Sequence, residues 1–531
     1  MDAEVIIVGS GPASVAATMG LKNHQVLILD VGIQPQADGS FDQSIYQQRR
    51  DGRDLFDLCI GKDFEGLQNI FGPKMSPKLK GPKVRFITKK IDAQTNDQWI
   101  GFDPVLSYAQ GGLAQGWGAG LYRFSDKDLS EFPIDPNQLN PFYDKLTAEI
   151  GISGEQDDLS QYFGSTNFLQ EPMKLDRHGR SLLQNYIKNK AIVQKNGVFI
   201  GYPRLAILTQ DFLARKKYDY SGLECFMPEN QSIYNPAFSL RQLLHQHKNI
   251  KYLSGLLVTH FRHSAEKVEI EARDIKTNEI KTFCAKHLLI GAGAINTSRI
   301  VLQSYPSSER NPLPIVDNKI SFTPFFKWQF LGQPQEMKFF GGAQLNVIVS
   351  RPDKDLVQGS YYGISSVLRS DFVGDMPFYF SGNIKVARAI SSAFSLVQLF
   401  YPGRPHKNNN LSLDENTNLT LRYLDKSEDQ VEDLVIETFR KMGYLSHKSF
   451  CQFPVAGSSI HYAGCLPMFS RPTHKFQCNV DGSLVNKKRV RIIDAANFPM
   501  LPAKNHSFTI MANALRISTL LKKELQNESL C

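Results

Sequence analysis

Near the C-terminus the stretch LPAKNHSFTIMANALRIS, residues 501–518, sets Asn505 beside His506 just ahead of an apolar helical pattern. An asparagine at such a point is often an N-cap, its side chain accepting from an amide of the first helical turn. The pair also suits chemistry. An imidazole accepts a proton, and a neighbouring carboxamide donates to the negative charge that develops on the deprotonated atom.

A second constellation sits at the other end of the chain. In VIIVGSGPASVAATMGLKNHQVLILDVG, residues 5–32, Val5–Val8 form an all-apolar run of the kind a parallel strand buried on both faces requires. Gly9 and Gly11 allow a tight turn and a close backbone approach to a pyrophosphate. The helix expected from Pro12 and Ala13 aims its first amides at that charge. A second apolar strand, Val26–Leu29, ends in Asp30, spaced to accept both hydroxyls of a ribose. Ser14 occupies the third glycine position of this fingerprint and is expected to loosen the helix–strand packing slightly. The position of the motif in so long a chain, with no second fingerprint, favours FAD over NAD, and Asp30 disfavours a 2′-phosphate.

Three later segments must position the rest. AQGGLAQGWGAG, residues 109–120, packs five glycines around Trp117, a density that weakens regular structure and points to close approach to a ligand such as a flavin and its ribityl chain. Gly112, Gln115, Gly116 and Trp117 are its candidate contacts. KHLLIGAGAINTSRIVLQS, residues 286–304, repeats strand, glycine turn and helix, with Leu288–Ile290, Gly291 and Asn296–Leu302, and reads as a strand returning beside the same cofactor. RVRIIDAANFPMLPAKNHSF, residues 489–508, places Asp494 at the end of an apolar strand and leads to Asn505 and His506.

Together with HYAG at 461–464, these segments resemble the glucose–methanol–choline (GMC) flavoprotein oxidoreductases, over both ends and two central pieces of the chain. The resemblance implies a Rossmann-like FAD-binding domain with an antiparallel-sheet substrate domain, α/β in class and α+β overall, and oxidation of an alcohol by hydride transfer to the flavin. It implies that Gly9, Gly11 and Asp30 hold the AMP half, that the Val258 backbone contacts adenine, and that Asp494 and Ala495 lie by the pyrophosphate and ribityl chain. Ser507, opening the last helix, joins this set. His461 falls in the family's H-x-x-G context and takes the role of base, with Asn505 as its partner and His506 as the alternative. Some members carry a flavin-linked histidine where this chain has Gly116, so noncovalent FAD is expected.

The segments divide the chain into an FAD-binding domain from 1–150, 236–318 and 456–531, and a substrate domain from 151–235 and 319–455. Aromatic stretches at 321–330, 338–342, 359–366 and 376–382 suggest antiparallel strands over the flavin. AISSAFSLVQLFY, residues 389–401, reads as a buried helix with some room for peripheral membrane contact, and residues 403–418 read as a mobile loop or lid.

Composition excludes more than it selects. A formal charge of +9 from 61 basic and 52 acidic residues is mild for 531 residues, and the run KKRVR at 487–491 reads as an exposed turn feeding a strand, so no nucleic-acid partner is expected. Seven cysteines without paired ligand spacing fit free thiols in a reducing compartment and no metal site. No run of 18 apolar residues spans a membrane, and the N-terminus shows no secretion signal, which together suggest a cytoplasmic protein. The expected substrate is a small alcohol, with a sugar or glycoside hydroxyl favoured, and the electron acceptor is not specified by the sequence. An isomerase or reductase in the same pocket, or a non-catalytic flavin-binding protein, are the alternatives.

Overall fold

Apolar at every position, the run Val5–Val8 of strand Ala3–Val8 and the strand Val26–Leu29 must be covered on both faces, and the fold supplies that cover. A computed structural model describes residues 2–35, 79, 82–91, 96–164, 166, 168–220, 231–334, 336, 340–364, 384–424 and 430–528. Five parallel strands run in the order Lys487–Ile492, Ile280–Ile290, Ala3–Val8, Val26–Leu29 and Ile250–Leu253. Leu256–His263 and Val268–Asp274 extend this sheet as an antiparallel pair on the first half of Ile280–Ile290. Helix Pro12–Gly20 lies against the long C-terminal helix Ser507–Glu528, so close that a Cβ at Gly20 would meet Ser518 Oγ at 2.1 Å. The parallel strand order, with helix Pro12–Gly20 leaving the first strand through a glycine turn, makes this a Rossmann-like sheet.

A second, five-stranded antiparallel sheet is built from Ile320–Phe326, Phe394–Phe400, Val357–Gly363, Leu345–Val349 and Val198–Gly201. Its strands alternate. Phe325, Val397 and Tyr361 face a separate apolar core beneath helices Arg177–Lys188 and Glu432–Lys441, while Phe322, Phe326, Phe394 and Leu396 turn the other way. A smaller sheet joins Gln98–Ile100 to Leu419–Arg422, Asn410–Leu413 and Leu313–Pro314.

Several sequence readings change. The apolar stretch at 389–401 is a short helix, Ile384–Ser391, followed by strand Phe394–Phe400 rather than a buried helix. One face of that strand meets the core and the other a cavity, so apolar residues stand on both faces, Val397 and Leu399 on one and Phe394, Leu396 and Phe400 on the other, and its period is hidden. The polar stretch 403–418 is no simple loop: Asn410–Leu413 is a central strand with buried Leu411, closed by a turn in which Asp414 accepts from Asn418. The basic run lies within strand Lys487–Ile492 itself, and Arg491 is buried, paired with Asp481 and Glu524. His287, Glu524 and Glu528 come within metal-ligand range of one another, but the guanidinium groups of Arg489 and Arg491 already meet the imidazole. Residues 338–339, 365–366 and 376–382 of the aromatic stretches, with Cys59, Cys225 and Cys531, lie outside the described residues; Cys284, Cys451, Cys465 and Cys478 are free thiols.

Ser14 does not loosen the packing as expected. It is fully buried, and its hydroxyl points at the carbonyls of Val8 and Gly291, at 3.2 and 3.3 Å. Gly291 makes the room, since a Cβ there would stand 2.5 Å from Ser14 Oγ. Gly9 closes the same junction at φ +92°, with its own missing Cβ 2.7 Å from the Gly291 carbonyl oxygen. Gly9→Ala should therefore lower stability by about 1–3 kcal/mol from backbone strain, with the backbone clash adding to it. A urea or thermal melt checks this, and an unchanged midpoint would refute the packing described.

Candidate active site

The carboxyl ends of the parallel strands open into one cavity of about 1840 Å³, larger than a pocket for a single drug-sized ligand. Gly9, Gly11, Pro12, Ala13, Asp30, Val258, Gly291, Asp494 and Ala495 line it. A Cβ at Gly11 would meet nothing within 4 Å and would project into this space, beside the first amides of helix Pro12–Gly20. Across from it, Gly111 and Gly112 turn at φ +90° and +64°, and the Gly111 amide donates to Ser10 Oγ at 3.0 Å. The residues thus form a cradle suited to a pyrophosphate.

Asp30 ends its strand at the cavity wall and accepts hydrogen bonds from Ser10 Oγ and from Tyr252 OH, the latter at 3.1 Å. Burial pushes its carboxyl up to about 6 although both donors pull the other way. Asp494 is more occupied. Its carboxylate accepts from Thr297 Oγ1, from the Gly293 amide at 2.8 Å and from the Ala496 amide at 2.9 Å, tying the second glycine turn to the last strand. Burial raises it, too, to about 6. Val258 is followed by a bulge, where pairing shifts between Val258 and His260.

The glycine-rich segment is a 3-10 turn, Gly112–Gln115. Gly112, Gly116 and Trp117 line the cavity, and Trp117 is fixed by its indole N–H donating to the Tyr234 carbonyl at 2.9 Å. Gln115 is not part of the lining: its side chain turns back to the Gln110 carbonyl and to Asn235.

His461, Asn505, His506 and Ser507 all line the same cavity, at the junction between the two large sheets. His461 Nδ1 lies 3.0 Å from Asn318 Oδ1. The Asn318 amide nitrogen must face the carbonyls of Tyr401 and Pro502, at 2.7 and 3.1 Å, so its oxygen faces the imidazole. Nδ1 therefore carries the hydrogen, and Nε2 keeps its lone pair. That lone pair faces Asn505 Nδ2 across 3.5 Å. Phe400 stacks on the imidazole with centroids 5.1 Å apart, and His506 meets it edge-on at 4.7 Å. Burial, and secondarily His506, hold His461 well below the usual imidazole range, and burial alone takes His506 down to about 4. Both rings are neutral at pH 7.

The backbone before His461 is strained. Ile460 has φ +62°, rare for a β-branched residue, and is held by its amide donating to the Gly457 carbonyl at 3.0 Å. Asp317 fixes the same turn, accepting from the Gly457 amide at 2.7 Å and from Ser459 Oγ. The C-terminal helix begins at Ser507, so its N-cap position falls on His506 rather than Asn505, whose amide is turned to His461. Sequence reasoning missed Asn318, whose only signal is an Asp-Asn pair at the mouth of an apolar strand.

Lys504 anchors the loop that carries Asn505. Fully buried, it pairs with Asp128 and donates to the carbonyls of Tyr162 and Arg123, the latter at 3.3 Å. Pro502 and Leu501 carbonyls meet Asn318, and Leu501 also pairs with Gly403.

No family model matches the chain, and no curated protein matches it. Its fold is shared with a solved structure, pyridoxine 4-oxidase from Mesorbium loti, at a TM-score of 0.60 and 12% sequence identity, covering 98% of this chain and 99% of that one. At this identity the likeness speaks for the fold alone.

Removing one partner of a buried ion pair leaves the other uncompensated. Lys504→Met should cost about 3–5 kcal/mol of stability. Chemical denaturation measures it, and a loss below about 1 kcal/mol, the range of an exposed pair, would show that Lys504 is no anchor.

Proposed function

We propose that this chain is an FAD-dependent oxidoreductase of the GMC type, which oxidises a primary or secondary alcohol using His461 as the base. The observation that carries the reading is the His461 tautomer: Asn318 holds Nδ1–H, so the free lone pair of Nε2 faces a cavity that begins at a dinucleotide-type glycine cradle. The fold neighbour, by name an oxidase, agrees with it. Gly9, Gly11 and the amides after Pro12 would hold the pyrophosphate, Asp30 the ribose, Val258 the adenine edge, and Gly112, Gly116, Trp117, Asp494, Ala495 and Ser507 the remainder. With glycine at 116, the attachment proposed is noncovalent. Bound FAD supplies the acceptor for the hydride lost from the alcohol carbon.

The side chains do the rest. An unactivated alcohol loses hydride only as its hydroxyl proton leaves, and Nε2 of neutral His461 takes that proton while Nδ1–H stays with Asn318. The 3.5 Å between Nε2 and Asn505 Nδ2 is too long for a good hydrogen bond, and a substrate oxygen placed beside both groups would gain an acceptor and a donor at once. Asn505 is the partner in this reading. His506 keeps a neutral, buried edge against His461, so that desolvation maintains the unprotonated base. Phe322, Phe326, Phe394 and Leu396 exclude water above the site and accept the apolar face of the substrate body. A sugar or glycoside fits this wall by its C–H face, with Gln398 and Gln452 offered to its polar groups. We assign the five-stranded sheet and its supporting segments, 151–235 and 319–455, to the substrate side, and the remaining segments to the cofactor.

His461→Ala should retain flavin but slow its anaerobic bleaching by an alcohol substrate by roughly 10²–10⁴-fold. A variant that is reduced as fast as the wild type removes the proposed base.

The Nδ1–H tautomer of His461 has its own readout. Wild-type kcat/KM should hold steady as pH falls through 6.5, because the folded His461 stays neutral there. In Asn318→Asp a carboxylate faces Nδ1 and favours the imidazolium, so the acid limb should move alkaline by about one pH unit or more, with activity recovering at high pH. An unshifted limb would show that Asn318 only fills space.

A further inference from the structure

We propose that the rim of the cavity mouth is a docking surface for an anionic lipid bilayer. Trp328 is 68% exposed, Phe450 61%, Val455 59%, Leu445 52% and Phe453 42%. Single exposed apolar residues are ordinary, but a contiguous set is not. These are contiguous. The Phe326 and Leu445 backbones exchange hydrogen bonds of 2.8 and 2.9 Å, as Phe322 and Gln452 do at 2.9 Å, so residues 445–452 run along the edge strand Ile320–Phe326. The Phe326 ring stands 5.7 Å from that of Trp328 at one end, and Lys319 Nζ lies 5.5 Å above Phe453 at the other.

The rim is continuous with the interior, because Leu445, Phe450 and Pro454 line the cavity together with Phe322 and Phe326. Its charge selects the partner. In a chain with 52 acidic residues, neither stretch that forms the rim, 318–335 or 438–456, contains an aspartate or glutamate; they hold Lys319, Arg440, Lys441 and Lys448, with Lys327 buried beneath them. Lys448 is paired at 2.8 Å with Asp433 of the preceding helix, which offsets one charge, and Arg440 and Lys441 end that helix exposed. Lys327 Nζ donates to the Met442 carbonyl at 3.0 Å and so ties the helix end to the Trp328 loop. A second copy of this chain meeting the rim across a two-fold axis would set these cations against their own kind. Aromatic and aliphatic side chains flanked by lysine and arginine instead match the boundary between headgroups and acyl chains, where apolar side chains insert and cations meet anionic lipid. The docking does not depend on the alcohol-oxidation reading.

The test is co-sedimentation of the full chain with vesicles of phosphatidylcholine alone or mixed with phosphatidylglycerol. Binding to the mixed vesicles should be stronger by about tenfold or more and should weaken with salt. The triple variant Trp328→Ser, Phe453→Ser, Val455→Ser changes only side chains outside the cavity lining and should lower partitioning by roughly tenfold or more. The pair Arg440→Glu and Lys441→Glu should bring mixed vesicles towards the level of phosphatidylcholine alone. Should the triple variant melt early, wild-type Trp328 decides: of three tryptophans it is the exposed one, so brominated acyl chains should quench it while Trp99 and Trp117, both partly buried, respond little. No binding to the mixed vesicles, binding unaffected by the folded variants, absent quenching, or self-association in ultracentrifugation that the triple variant abolishes would each overturn the proposal.

Discussion

A neutral imidazole has one lone pair, and the rest of this molecule is arranged around which nitrogen keeps it. The Asn318 carboxamide settles the matter, because its nitrogen is claimed by the Tyr401 and Pro502 carbonyls and only its oxygen remains for His461. Those three partners come from different parts of the fold. Asn318 precedes the edge strand of the antiparallel sheet, Tyr401 follows its neighbour, and Pro502 belongs to the loop before the last helix. One buried amide therefore joins the sheet above the cavity to the loop that carries Asn505. A shift of either by an ångström would cost hydrogen bonds in a place where water cannot replace them.

Such precision is held by rigid surroundings. Ile460 stays at positive φ because Asp317 and the Gly457 carbonyl over-determine the turn, and Gly457 itself fits only because a Cβ there would lie 2.6 Å from the Asp103 carbonyl oxygen. On the other side of the site, Lys504 is buried against an aspartate and two carbonyls, an arrangement whose desolvation is costly and whose geometry is correspondingly specific. The imidazole and the carboxamide are thus held by two further fixtures, a strained turn and a buried charge, in addition to the Asn318 amide that links them.

The sequence made the parallel sheet legible because strands buried on both faces are apolar without interruption, and because Gly9, Gly11 and Asp30 sit at spacings with a mechanical reason. All of the anticipated site residues except Gln115 line the cavity. What stayed hidden was non-local. Asn318 acts on a residue 143 positions away, and nothing around it in sequence announces the contact. Phe394–Phe400 reads as helical because apolar residues stand on both its core face and its cavity face, with Gln398 among the lining. Ser14 departs from a fingerprint that wants glycine there, and the needed space is provided by Gly291, 277 residues later. Close packing between distant backbones leaves its mark on whichever partner gives way, and a single sequence does not say which.

The cavity has two walls of opposite character, and their meeting explains why the proposed chemistry belongs where they touch. The parallel sheet contributes glycine turns, helix amides and the carboxylates of Asp30 and Asp494, each raised to about 6 by burial. Asp494 has satisfied that burial internally with three donors, so it is part of the frame. Asp30 accepts from Ser10, Tyr252 and the amides of Val31 and Gly32 and still sits high, and further hydroxyl donors would return it towards its ordinary range. The antiparallel sheet contributes phenylalanines and leucine, which lower the local dielectric around His461 and keep it unprotonated. A ligand anchored at Asp30 and reaching the imidazole must therefore be polar at one end and tolerate a dry, apolar roof at the other. The same dryness that depresses the imidazole strengthens the hydrogen bond Asn505 can offer to an oxygen beside Nε2. The unprotonated state of the imidazole and the strength of that hydrogen bond then share one cause, the exclusion of water by the roof: wetting it would raise the imidazole towards its usual range and weaken the hydrogen bond.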